Sequence, residues 1–245
     1  MILAPLPSFA RRLAPVCFAA LLVAACGPAV PPSPSPTVSP SIAPSAPAYT
    51  LGPSPSGCPT TAPAAMAAGS TATVTMTTSF GNMVIKVAAD GGPNAAGAFV
   101  ALAKCGYYDN IIFHRIIFGG MIQAGDGQYA REPAANLNPE KFGQGGPGFT
   151  IADDKAGTTF KRGTIAMANT GAANTGGSQF FIVLSDTNTL AQNTPGYAVF
   201  GSVTTGMDVA DKIAQIPVGG APLNGNQPDM ALQPAVITST TVTTP

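Results

Sequence analysis

The amino-acid sequence predicts a mostly β fold, in the form of a closed antiparallel β-barrel of about eight strands capped by two α-helices. From residue 71 onward, short apolar runs are separated by Gly, Asn, Asp and Pro, which is typical of many short strands joined by turns. Only two segments instead show the spacing of helices. The region is long enough to bury a sizeable core.

The first two strands are predicted at Thr73–Thr78 and Asn82–Val87, because both runs are rich in β-branched residues. Ser79-Phe80-Gly81 lies between them and predicts a hairpin. The further strands are predicted at Ile111–Ile117, Met121–Ala124, Gly163–Ala168, Gln179–Leu184, Tyr197–Val203 and Ala235–Thr243.

Two helices are predicted at the ends of this barrel. Pro93 suits the first turn of a helix that runs to Lys104, and Gly106 follows its end. The second helix is predicted from Met207 to Ile216, where Pro217 ends it.

The composition divides the chain into three parts: a signal peptide of the lipoprotein type at 1–25, a disordered Pro/Ser/Ala-rich tether at 26–70 and the domain at 71–245. Arg11 and Arg12 are the only charged residues before Lys86, and twelve prolines lie between Gly27 and Pro63. Such a segment cannot bury enough apolar surface to offset its chain entropy.

The N-terminus has the pattern of an export signal. Arg11 and Arg12 precede the apolar run Leu13–Ala25, which is too short for a stable spanning helix. The small residues directly before Cys26 resemble the bacterial lipoprotein processing box, which implies acylation of Cys26. We therefore expect an extracytoplasmic protein anchored to the cell membrane by lipid on Cys26; the alternative is an ordinary signal peptide followed by an unrelated cysteine.

Two of the four cysteines remain once Cys17 of the signal peptide and the lipid site Cys26 are set aside. In an oxidising extracytoplasmic compartment, Cys58 and Cys105 are candidates for one disulfide. The alternative is a pair of unbonded buried thiols.

The charge balance limits the partners. The formal net charge is +0 and no basic run follows Arg12, whereas nucleic-acid binding needs a concentrated positive face. We expect a monomer that binds no nucleic acid, contacts the membrane only through its lipid and needs no metal or cofactor.

Two segments carry most of the functional signal. The first runs from Tyr107 through Phe113-His114-Arg115 to Asp126, and the second runs from Lys161 through Gly177-Ser178-Gln179-Phe180-Phe181 to Ile182. With the weaker Tyr197–Gly201, they resemble the cyclophilin family of peptidyl-prolyl cis–trans isomerases in order and spacing. The resemblance extends from about Thr71 to the C-terminus and implies a cyclophilin-like barrel that acts on proline-containing segments.

Arg115 is the candidate catalytic residue. Strand alternation places it on one side with Phe113 and Ile117, among apolar neighbours. From the residues alone, its head either reaches solvent or pairs with a carboxylate. The resemblance implies instead that Arg115 stabilises the twisted amide of the substrate.

The resemblance also implies the rest of the site. Gln123 is catalytic together with Arg115, and Gln179 orients Arg115 and belongs to the substrate-binding residues. The backbone of Asn169 binds the substrate chain. The residues expected to contact the substrate through their side chains are Phe113, Met121, Phe181, Leu190 and Tyr197. The alternatives are ordinary core positions for Met121 and Phe181 and a turn for Asn169. His114, the only histidine, is expected to be structural because the reaction needs no base.

One departure from the family concerns the proline pocket. The family usually has Pro-Gly-Phe where this chain has Phe118-Gly119-Gly120, so Gly120 takes the place of the aromatic floor. Phe118 would share the face of Gly120 if the segment were extended. The chain also lacks Trp, which many members of the family have at the rim of the proline pocket. The resemblance implies that Leu190 takes this position.

Three functions follow from these observations. The first is a peptidyl-prolyl isomerase that assists the folding of exported proteins. The second is a module that binds proline-containing segments with little or no turnover, and the third is a non-enzymatic envelope lipoprotein. Gly120 favours the second and third, whereas Arg115 and Gln123 favour the first.

Overall fold

The structure of the protein is a computed structural model that describes residues 55–187, 189–193, 196–220 and 229–245. The predicted signal peptide, Cys26 and most of the predicted tether lie outside these residues. No helix in the described ranges combines the length and the hydropathy needed to cross a membrane.

One ten-stranded sheet dominates the described residues, and every neighbouring pair in it is antiparallel. The strands are β1 (Thr71–Thr78), β2 (Gly81–Ala88), β3 (Arg115–Ile117), β4 (Met121–Ala124), β5 (Thr164–Met167), β6 (Phe180–Val183), β7 (Val199–Thr205), β8 (Val218–Gly219), β9 (Met230–Ala231) and β10 (Ile237–Thr243). Their order across the sheet is β10-β1-β2-β7-β5-β6-β4-β3-β9-β8. The predicted mostly β fold is confirmed, but β8 and β9 were not predicted.

The closed barrel is not confirmed, because the ladder of regular strands ends at β10 on one side and at β8 on the other. Three backbone bonds nevertheless connect the segment before β3 to the beginning of β10. Phe113 N donates to Ala235 O at 2.9 Å, Ile237 N to Ile111 O at 2.8 Å and Asn110 N to Ile237 O at 2.7 Å.

The two predicted helices are present as α1 (Pro93–Lys104) and α2 (Met207–Ala214), so α2 ends two residues earlier than predicted. The first turn of α1 has no side-chain cap of its own. Instead, the carboxylate of Asp154 accepts from the backbone N–H groups of Asn94 at 3.0 Å and Ala95 at 2.8 Å. A negative charge at this end also matches the helix dipole.

The residues that precede β1 pack against α1. Cys58 and Cys105 are joined by a disulfide, the pair that the sequence predicts. A Cβ built on Gly97 would lie 2.3 Å from the carbonyl oxygen of Ala64, so the two backbones approach as closely as only glycine allows. The folded region therefore begins before Thr71, where the sequence placed the end of the tether.

Aromatic side chains fill the centre of the main core. The fully buried ring of Phe99 on α1 lies 5.1 Å from Tyr108, 5.3 Å from Phe180 and 5.0 Å from Phe200, measured between centroids. Tilted and edge contacts at these distances stabilise a core beyond the burial of apolar area alone. This core supports the inner face of β6 and β7.

The segment predicted as the strand Ile111–Ile117 is regular only from Arg115 onward, with isolated bridges at Ile111 and Ile112. Strand alternation therefore does not extend back to Phe113. Phe113 is fully buried in the main core together with Ile116, whereas Ile117 is 40% exposed. The structure thus separates Phe113 from the face that carries Arg115.

His114 is fully buried, and its ring lies 5.8 Å from the ring of Phe142. Neither ring nitrogen has a hydrogen-bond partner among the described residues. Burial lowers the pKa of His114 from its ordinary 6.5 to about 4, and the carboxylate of Asp126 opposes this shift only in part. This environment supports a structural role for a neutral imidazole.

The buried imidazole predicts a loss of stability in mild acid. Between pH 6.5 and pH 4 the unfolded chain binds a proton at His114 that the folded chain does not, so stability falls as the pH falls through this window. Between pH 7 and pH 5 we expect the free energy of unfolding to fall by about 2 kcal/mol more for the wild type than for His114→Phe. Urea unfolding of both proteins at the two pH values measures this difference, and equal pH dependence would contradict the buried neutral state.

Candidate active site

Alternation along the strands brings the predicted site residues to one face of the sheet. On β4 and β6, Ile122 and Phe180 point into the main core, so their neighbours in sequence point outward. Backbone pairing then sets Arg115 opposite Gln123, Gln123 opposite Phe181 and Phe181 opposite Ala166. The outer face therefore has a polar part on β3 and β4 that continues into an apolar part on β6 and β5.

The polar part is a connected series of hydrogen bonds. Arg115 Nη1 donates to Gln123 Oε1 at 3.3 Å, and Gln123 Nε2 donates to Gln179 Oε1 at 2.9 Å. Gln179 Nε2 in turn donates to the carbonyl oxygens of Gly143 at 2.8 Å and Gly145 at 2.7 Å. Each amide thus has its oxygen toward one partner and its nitrogen toward the next, so the series supports a single orientation of both glutamines.

Asp126 anchors the far end of this series, and its role was missed from the sequence. Its buried carboxylate accepts from the backbone N–H groups of Gln128, Tyr129, Gly143 and Gly145 at 2.9 to 3.2 Å. Four donors satisfy both oxygens of a carboxylate. Asp126 thereby holds the loop whose carbonyls receive the side chain of Gln179.

A second carboxylate missed from the sequence contacts Arg115 directly. The Nε of Arg115 donates to Oδ2 of Asp229 at 2.6 Å, and the two side chains are 11% and 7% exposed. The residues alone left open whether the head of Arg115 reaches solvent or pairs with a carboxylate, and the structure shows the carboxylate pair. No motif could have identified Asp229, because it lies 114 residues away from Arg115 in the sequence.

The apolar part is a second cluster, distinct from the main core. Its buried members are Met121, Phe160, Ala166, Phe181 and Val183. The partly exposed side chains of Leu190 and Tyr197 pack against it, and the Tyr197 ring meets the Phe181 ring edge-on at 5.1 Å. The structure thus brings Met121, Phe181, Leu190 and Tyr197 together.

Asn169 lies at the end of β5 beside this cluster. Its side chain bridges two loops, because Nδ2 donates to Gly196 O at 3.1 Å and Oδ1 accepts from Gly171 N at 3.0 Å. Within the described part of the chain, no hydrogen bond uses the peptide N–H or carbonyl of Asn169. These backbone groups are therefore open to an extended peptide.

The turn between β3 and β4 leaves the pocket floor without an aromatic ring. Gly119 has φ 67°, which turns the chain and breaks the shared face that an extended segment would give Phe118 and Gly120. Phe118 is consequently 74% exposed and belongs to neither the main core nor the apolar cluster. The possibility that Phe118 replaces the missing ring is therefore wrong for this structure.

The arrangement combines a directed cation with an apolar surface. After its bonds to Asp229 and Gln123, the guanidinium of Arg115 still has N–H groups on Nη1 and Nη2 that no described residue receives. The strand register places Arg115 on the same face of the sheet as Phe181 of the apolar cluster, whose surface suits a pyrrolidine ring. Such a site can hold a proline residue and donate hydrogen bonds to its amide.

The chain is similar to proteins of one family in both sequence and fold. The model of the cyclophilin-type peptidyl-prolyl cis-trans isomerases matches residues 73–242. The chain is 34% identical to peptidyl-prolyl cis-trans isomerase B of Escherichia coli over 69% of this chain and 98% of the relative. It is 36% identical to a peptidyl-prolyl cis-trans isomerase of Acinetobacter baylyi, over 63% of this chain and 78% of that relative.

Solved structures agree with the sequence relatives. A crystal structure of a cyclophilin-type peptidyl-prolyl cis-trans isomerase from Cryptosporidium parvum matches with a TM-score of 0.55 and 26% identity, over 71% of this chain and 98% of that one. The fold, the assembled site and the relatives agree: the chain belongs to the cyclophilin-type peptidyl-prolyl cis–trans isomerases.

Proposed function

We propose that this isomerase assists the folding of exported proteins while anchored to the cell membrane through Cys26, as a monomer that acts on their proline-containing segments. The paired arginines, the apolar run and the small residues before Cys26 support the anchor. Several acyl chains on one cysteine bind a membrane stably, whereas one chain alone binds marginally. The proline-rich segment that follows supports a tether between the lipid and the folded domain.

The observation that carries the catalytic proposal is the oriented guanidinium of Arg115, which has N–H groups to spare and lies on the same face of the sheet as the apolar cluster. Rotation about an X-Pro bond breaks amide resonance and crosses a barrier of about 20 kcal/mol. As the amide twists, the proline nitrogen becomes pyramidal and its lone pair, shared with the carbonyl in the planar amide, becomes localised on the nitrogen. The free N–H groups of Arg115 favour this state over the planar ground state, which is the requirement for catalysis.

The surrounding residues supply orientation and binding. Gln123 and Gln179 hold the guanidinium in place before the substrate arrives, so little reorganisation accompanies the reaction. Met121 and Phe181 receive the pyrrolidine ring, Leu190 and Tyr197 form its rim, and the open peptide groups of Asn169 bind the substrate chain. A related structure from Cryptosporidium parvum was determined in the presence of the dipeptide Ala-Pro, which supports this class of ligand.

A second function, binding of proline-containing segments with little turnover, is favoured by Gly120. If the transition state depends on contact with an aromatic ring at this position, its absence removes turnover, while the peptide groups of Asn169 and the rim side chains still bind the substrate chain. A peptide assay coupled to a protease, run beside a binding titration of the same peptide, distinguishes the two functions. Saturable binding without acceleration of isomerisation would favour the binding module.

Substitution of Arg115 tests the catalytic role. We expect Arg115→Lys to lower kcat/KM by about 100-fold, because a lysine donates from one point and cannot reach Asp229, Gln123 and the substrate together. Lysine keeps a positive charge beside the desolvated Asp229, whereas Arg115→Ala would remove the cation that neutralises this carboxylate and destabilise the fold. The melting temperature of Arg115→Lys should therefore stay near that of the wild type.

Arg162→Lys is the matched control, because Arg162 pairs with Asp211 on an exposed surface and has no bond to Arg115, Gln123 or Gln179. It should retain full activity. Wild-type turnover by Arg115→Lys would refute the proposed role of Arg115.

An aromatic ring placed at position 120, the expected floor of the pocket, should raise the activity. Gly120 has no positive φ, but a Cβ there would lie 2.9 Å from Cγ2 of Ile117. The double variant Gly120→Phe/Ile117→Ala removes this obstacle, since Ile117 is already 40% exposed. Burial of an aromatic side chain contributes about 2 kcal/mol. We expect the fraction of this energy that stabilises the transition state to raise kcat/KM by about 3- to 10-fold.

Ile117→Ala alone serves as the control and should keep wild-type activity. If the double variant folds, shows the new ring in the apolar cluster by NMR contacts with Met121, and is no faster, the floor does not limit the reaction.

The anchor predicts a modification at one residue. Cells fed a labelled fatty acid should incorporate the label into the wild-type chain and not into Cys26→Ser. Cys17→Ser is the matched control and should still be labelled, because the predicted cleavage removes Cys17. Label on the Cys26→Ser chain would contradict the proposed lipid site.

A further inference from the structure

Asp229 occupies a fixed position beside Arg115, although it lies outside every motif of the sequence. It directly precedes β9, which pairs with β3 at Arg115 and Met230. The Asp229 carbonyl accepts from Ile116 N at 2.8 Å, and Ala231 N donates to His114 O at 3.2 Å. Backbone bonds on both sides of Arg115 therefore hold Asp229 in register with it.

The carboxylate and Gln123 contact different nitrogens of the same guanidinium. Asp229 receives Nε at 2.6 Å, and Gln123 receives Nη1 at the longer distance of 3.3 Å. Two acceptors on separate nitrogens fix the plane of the group, whereas Gln123 alone would leave it free to rotate about that bond. The remaining N–H groups on Nη1 and Nη2 are thereby held in one orientation.

The pair is also largely removed from water, since the two side chains are 11% and 7% exposed. Desolvation of both charges offsets much of their attraction, so such a pair is weak support for stability. The better account of this ion pair is the orientation that it gives to Arg115.

We propose that Asp229 is a positioning residue for Arg115, brought to the active site by β9 to direct the free guanidinium N–H groups toward the substrate amide. The inference rests on the catalytic role of Arg115 proposed above. Because Asp229 acts through Arg115, its loss should affect turnover more than substrate binding.

The test measures kcat and KM of the full chain, kept in detergent, with a proline-containing peptide. We expect Asp229→Ala to lower kcat by about 30-fold with less than a twofold change in KM, because small misplacements of a catalytic group are costly. Asp229→Asn should stay within about threefold of the wild type, since its amide oxygen has the same reach and accepts from Nε. Asp211→Ala, which removes a carboxylate from Arg162 at the surface, should leave both constants unchanged.

Each result decides the proposal. Wild-type kcat in Asp229→Ala would overturn it, and so would equal losses in the alanine and asparagine variants. If Asp229→Ala does not fold, Asp229→Ser takes its place, because serine stays polar but is too short to reach Nε. If Arg115→Lys keeps full activity in the same assay, the proposed catalytic role of Arg115 is wrong. If Arg115→Lys loses activity but Asp229→Ala or Asp229→Ser keeps it, only the positioning role of Asp229 is wrong.

A measurement on the unmodified protein tests the ion pair itself. The Nε–H of Arg115, identified in nitrogen-15 NMR spectra by its loss in Arg115→Lys, should exchange with water at least about tenfold more slowly than that of Arg162. Arg162 is a suitable reference because it binds Asp211 through Nη1 and Nη2. Equal exchange rates would overturn the proposed ion pair in solution.

Discussion

The pairing of β3 with β4 is the interaction on which the rest of the site depends. It sets Arg115 opposite Gln123, and the pairing of β4 with β6 then sets Gln123 opposite Phe181. Because side chains alternate along a strand, a slip of one residue would turn these groups inward and expose the core side chains between them. Burial of Ile122 and Phe180 in the main core therefore specifies the register of the site as well as the stability of the sheet.

Orientation within the site comes from residues that do not contact a substrate. Asp126 gathers backbone donors from the loop that holds Gln179, and Asp229, directly before β9, contacts Arg115 itself. The guanidinium is thus held between two carboxylates, one acting through a loop and two amides and the other acting directly. A long side chain held from both sides pays its ordering cost on folding, before any substrate binds.

Sequence reasoning recovered the parts of the fold and site that have local signals. The helix Pro93–Lys104 has a proline start and a regular apolar face, and the motifs around Arg115 and Gln179 carry their spacing within single segments. β8 and β9 were missed because two-residue strands have no periodicity to detect, and Asp229 was missed with them. The alternation assumed for the segment before β3 failed because that segment forms isolated bridges to two partners instead of a regular ladder.

The polar part of the site around Arg115 is complete, whereas the apolar part is not. This difference affects substrate binding and turnover in different ways. Every polar group that orients Arg115 has its partners, so the machinery that acts on the twisted amide is intact. The apolar half has Gly120 where the family usually has an aromatic ring, and Phe118 points into solvent. A smaller apolar surface in the pocket weakens ground-state and transition-state binding alike, whereas the guanidinium acts chiefly on the transition state. A site of this kind favours turnover of segments that are presented at high local concentration, and the lipid anchor proposed at Cys26 would create that situation for proteins that emerge from the same membrane.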